Sequence, residues 1–114
     1  MSPLTVRSSQ VTSLHANAEP LHRRAPTHDE AGRPLSDFMM LIPGLRDWPQ
    51  ARRNDCLAGL HAVLGGFSGV IFADLNLPLN LLWVSVRNTP GIILHLVAAI
   101  QARVPEAKVV GSQA

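Results

Sequence analysis

The chain has 114 residues, 46% of them hydrophobic and 16% charged, with ten Lys and Arg against eight Asp and Glu. That length holds one domain, the apolar content exceeds what a disordered chain carries, and a formal charge of +2 is too small a surplus to point to nucleic acid. The single cysteine, Cys56, excludes an intrachain disulfide and a cysteine-based metal cluster, and it fits a reduced, cytoplasmic setting.

Residues 1–36 carry Pro3, Pro20, Pro26 and Pro34, the histidines His15, His22 and His28, and no aromatic residue. Such a segment buries too little apolar surface to offset chain entropy, so it is expected to be a flexible or disordered N-terminal extension. It lacks the apolar run of a signal peptide, and Glu19, Asp29 and Glu30 argue against a transit peptide. The histidine spacing is too wide for a preformed metal site.

Residues 37–114 read as one compact α+β domain. Asp37 to Ile42 is a short apolar run stopped by Pro43-Gly44, which predicts a buried strand. A helix follows, with Asp47 as its expected cap, Pro49 in its first turn, and the stripe Cys56, Leu57, Leu60, Val63 and Leu64 on one face. Cys56 to Ala73 contains no Asp, Glu, Lys or Arg and is just long enough to span a bilayer. Gly65, Gly66 and Gly69 break it, so helix, loop and strand are expected instead, and a membrane contact is not favoured.

Val70 to Ala73 is β-branched and aromatic, hence a second strand. Asn76-Leu77-Pro78 turns the chain, and Leu81 to Val86 is a third strand. Asn88 or Thr89 then caps a second helix whose inner face is Ile93, Leu96, Val97, Ile100 and Val104. Pro105 stops it, and Lys108-Val109-Val110 is a last short strand.

The order β-α-β-β-α-β is the split pattern called ferredoxin-like, with two helices on one face of a four-stranded antiparallel sheet. That architecture hosts many unrelated functions and selects none.

In this arrangement the first and third strands are central neighbours, and each leads into a helix. Both helix N-termini are expected at one edge, where unpaired N–H groups and positive dipole ends favour an anion. The turns there are Gly44, Arg46, Asp47 and Trp48 on one side, and Arg87, Asn88, Thr89 and Gly91 on the other. The expected site therefore joins Gly44, Arg46, Arg87, Asn88, Thr89 and Gly91 around an anionic metabolite, with Arg46 and Arg87 as a bidentate clamp and Trp48 as its wall. The plain alternative is that these are ordinary turn residues, with Arg46 paired to Asp47.

Strand alternation puts Leu82, Val84 and Val86 beneath the helices and Leu81, Trp83 and Ser85 on the other face. Leu81 and Trp83, joined by residues of the first strand, predict an apolar patch through which the domain self-associates or joins a larger complex. Cover by the N-terminal extension or by a lipid is the alternative. RNA stacking is disfavoured, because Trp83 is the one aromatic of that strand and the chain has no Tyr.

Catalytic patterns are thin. Cys56 belongs to a buried stripe, and His61, His95 and Asp74 are isolated acid–base candidates. No cofactor or metal motif is present. The composite expectation is a non-catalytic ligand-sensing or assembly module. A small ferredoxin-like enzyme with an interface active site and a membrane-associated accessory subunit are its rivals.

Overall fold

The computed structural model describes residues 5–7, 10–13 and 26–113, with side chains over 26–110. Of the extension expected over 1–36, residues 1–4, 8–9 and 14–25 lie outside the described residues, His15 and His22 among them. The rest of that segment forms β1 (Thr5–Arg7), β2 (Gln10–Ser13) and a turn through 26–34. The turn leads into β3 (Leu35–Leu41), which begins ahead of Asp37.

A 3-10 turn (Leu45–Asp47) and helix α1 (Gln50–Gly65) follow, then β4 (Val70–Asn76), β5 (Leu81–Arg87), α2 (Ile92–Arg103) and β6 (Lys108–Gln113). α1 buries Cys56, Leu57, Leu60 and Leu64, a spacing that keeps one stripe against the sheet. It ends at Gly65, and the chain re-forms as β4 five residues later. Cys56 to Ala73 is therefore not one rod, and no helix among the described residues is long and apolar enough to cross a membrane.

Both expected helix caps need correction. Asp47 lies in the 3-10 turn, its own N–H bonded to the Gly44 carbonyl at 2.9 Å, and Pro49 precedes α1 with no side-chain cap. The cause is Leu45, which is fully buried and pulls the preceding turn inward. Neither Asn88 nor Thr89 caps α2; Gly91 does, at φ 79°, again without a side-chain bond.

The sheet runs β2-β1-β4-β5-β3-β6, with every neighbouring pair antiparallel. The strands expected from residues 37–114 thus make a four-stranded antiparallel unit with two helices, an α+β fold. The β1–β2 hairpin widens it at the β4 edge.

Phe38, Met40, Leu82, Val84, Val86, Val70, Ala73 and Leu75 face the helices, where Leu60, Leu64, Leu96 and Ile100 close the core. Each large apolar side chain buried there contributes about 1.5–3 kcal/mol. On the opposite face, Phe72 and Asp74 are buried, while Met39, Leu41, Leu81 and Trp83 are half-buried.

Candidate functional site

The structure does not bring Arg46 and Arg87 together. β3 and β5 are neighbours but antiparallel, with a register running from Leu35↔Arg87 to Leu41↔Leu81. The helix after β3 therefore starts at one end of the sheet and the helix after β5 at the other, about 20 Å apart at ~3.4 Å per residue. A shared edge would need these strands to run the same way. The crossover through α1 brings β4 back parallel to β3, and the short Leu77–Asn80 turn then reverses β5 against both.

At the first end, Arg46 is a brace. Its backbone N–H donates to Asn80 Oδ1 at 2.8 Å, its Nη1 donates to the Pro78 carbonyl at 3.0 Å, and its Nε lies 3.7 Å from Asp47. Its carbonyl accepts from Arg53 Nη1 at 2.9 Å. These bonds tie the 3-10 turn to the turn between β4 and β5. Gly44 is held at φ 77°, and a Cβ there would sit 3.3 Å from Trp48 Nε1.

Trp48 is a wall, but of a different space. The Arg52 guanidinium stacks 3.8 Å from its ring centroid and pairs with Glu106. With Asp55, Gly59 and Arg103 these residues line a groove of about 400 Å³ between the start of α1 and the end of α2. Two arginines meet two carboxylates there, so the charges offset. Cys56 lines its floor, but burial, reinforced by Glu106, pushes its thiol up to about 11. At neutral pH that thiol stays protonated and is a poor nucleophile.

At the second end, Arg87 is also committed. Its Nη1 lies 3.3 Å from Asp29 Oδ2 and its Nη2 2.8 Å from Glu30 Oε1. Asp29 further accepts from the N–H groups of Ala31 and Arg33, both at 2.9 Å, and from Arg33 Nε at 2.8 Å. The Arg33 N–H above all holds the Asp29 carboxyl below the usual range. Arg87 therefore anchors the 26–34 turn to the end of β5 rather than clamping a ligand.

The remaining expected residues do converge. Asn88, Thr89 and Gly91 line a cavity of about 270 Å³ together with Ser36, Ile92, Ile93 and Leu94. It opens at the start of α2. There the Ile92 N–H bonds the Thr89 carbonyl at 3.2 Å and the His95 N–H bonds the Gly91 carbonyl at 3.1 Å. The N–H groups of Ile93 and Leu94, in the same first turn, have no acceptor among the described residues.

Ser36 is 3% exposed, points to the helix layer with Phe38 and Met40, and has an Oγ without a hydrogen-bond partner. Sequence reasoning missed Ser36 because the strand was started at Asp37. Extending the alternation of Phe38 and Met40 back by one step would have placed a lone hydroxyl on the core face.

His61 is half-buried on α1, His95 is exposed on α2, and Asp74 is buried on the opposite face of the sheet. None of the three lines either cavity. Among the described residues no group of three or more His, Cys, Asp or Glu is placed to hold a metal. Leu81 and Trp83 pair across the sheet with Leu41 and Met39, and Trp83 Nε1 donates to Ser85 Oγ at 3.2 Å. Comparison with family models, curated proteins and solved structures finds no match to this chain.

Proposed function

We propose that this chain is a non-catalytic binding module of ferredoxin-like arrangement, which holds a small anionic molecule in the cavity at the start of α2. The strand order β4-β5-β3-β6, with the helices following β3 and β5, supports the arrangement. The observation that carries the binding reading is Ser36 Oγ, buried and unpartnered beside an uncapped helix start. An unsatisfied buried hydroxyl costs about 1–3 kcal/mol. A ligand accepting from Ser36 and from the Ile93 and Leu94 N–H groups removes that cost, and the helix dipole favours its negative charge. No titratable side chain lines the cavity, which supports binding over acid–base catalysis.

Thermal unfolding in a series of small anions, against NaCl at equal ionic strength, tests this. An anion at ten times its Kd adds about 1.4 kcal/mol of stability, which raises the Tm of a domain this size by several degrees. Ser36→Ala should lose most of that rise. A series in which no anion exceeds NaCl overturns the reading.

A second reading, self-association through the sheet face, rests on the contiguity of Met39, Leu41, Leu81 and Trp83 across β3 and β5. Its sign is a particle mass that grows with protein concentration.

A further inference from the structure

Resting on that reading of the cavity, we infer that its ligand is a small monocarboxylate with a short aliphatic body, rather than a phosphate. Ser36, Ile93 and Leu94 all line this cavity, and Ser36 Oγ and the N–H groups of Ile93 and Leu94 are donors without a partner among the described residues. Three bonds match the two oxygens of one carboxylate. They leave part of a phosphate unbonded.

Charge points the same way. A helix start offers roughly half a positive charge, and no lining residue adds another. Arg87, at the end of β5, already meets Asp29 and Glu30, and Arg33 meets Asp29. Two cations and two carboxylates cancel at this corner. A single negative charge is compensated by the dipole and three donors. Inorganic phosphate is a mixture of monoanion and dianion at neutral pH, and no cation among the lining residues meets the dianion's second charge.

The walls supply the rest. Ile92 and Ile93 are half-buried apolar side chains that pack against the core from the cavity. Gly69 lies directly behind Ile92, where a Cβ would come 2.2 Å from Ile92 Cδ1. At about 270 Å³ the space falls below the ~300–1,000 Å³ of pockets for drug-sized ligands, so the apolar body is short.

The experiment is an amide ¹H–¹⁵N titration of the full chain with three probes: isobutyrate, isobutyramide and inorganic phosphate. Isobutyrate should move the Ile93 and Leu94 amides saturably, with affinity about tenfold weaker in Ser36→Ala, as loss of one charge-assisted bond predicts. Isobutyramide and phosphate should leave those amides in place. Equal or stronger binding of phosphate, or of isobutyramide, overturns the monocarboxylate assignment while leaving the cavity a binding site. If none of the three probes moves these amides, and the small-anion Tm series is also flat, the cavity reading falls together with the inference.

Discussion

Asp29 and Ser36 flank the start of β3 and stand in opposite states. Asp29 accepts from four donors, whereas Ser36 Oγ, equally buried, has no partner. Asp29 and Glu30 both have carboxyl groups held below their ordinary values, Asp29 chiefly by the Arg33 N–H and Glu30 by its own N–H and then Arg87. A depressed folded pKa means that their contribution is complete above the unfolded values near pH 4 and is lost as pH falls through the folded pKa. Asp37 works the other way, since burial raises its pKa and its ionised form opposes folding as pH rises through the folded pKa. The expected outcome is a urea midpoint that drops between pH 5 and pH 3 in the native chain, with a shallower drop in Asp29→Ala. Equal acid slopes for the two proteins would show that the Asp29 cluster does not stabilise the fold. Little of this was legible in the sequence. The 29–33 turn reads as polar tail, and nothing local signals that Arg87, 58 positions later, closes it.

The helices and inner strands were legible because their periodicity is strong. Leu96, Ile100 and Val104 recur at helical spacing, and Leu82, Val84 and Val86 alternate, so core burial fixed both. Their starts were not legible, because Asp47, Asn88 and Thr89 are good caps in isolation while tertiary packing placed the starts elsewhere. Gly91 shows how. It begins α2 at φ 79°, and a Cβ there would meet nothing within 4 Å. Gly91→Ala therefore introduces left-handed backbone strain alone, about 1–2 kcal/mol. A Tm lowered by roughly 4–15 °C, with unchanged far-UV circular dichroism, is expected. An unchanged Tm would mean that α2 starts equally well without this glycine. The hairpin of β1 and β2 escaped notice because Thr5, Arg7, Gln10, Thr12 and Ser13 are polar and the strands are short, so no apolar alternation marks them.

Over the whole molecule, strand direction decides what can meet what. Neighbouring central strands suggested neighbouring helix starts, but in an antiparallel sheet adjacency in space means opposition in direction. The register from Leu35↔Arg87 to Leu41↔Leu81 separates the two arginine turns. It also gives each end its own character. One end carries the Arg46 brace and the charge-balanced groove of Trp48 and Arg52, and the other carries an unsatisfied cavity whose walls include Ile92 and Ile93. The fold thus leaves Ser36 Oγ and the N–H groups of Ile93 and Leu94 unmet at the start of α2, and the proposed binding depends on them. A crystal structure of the chain grown with isobutyrate tests it most directly. A carboxylate is expected within about 2.7–3.2 Å of Ser36 Oγ and of the Ile93 and Leu94 nitrogens, with its methyl groups against Ile92. A carboxylate bound instead at Arg46 or in the Trp48 groove, with the Ser36 cavity unchanged, would contradict it.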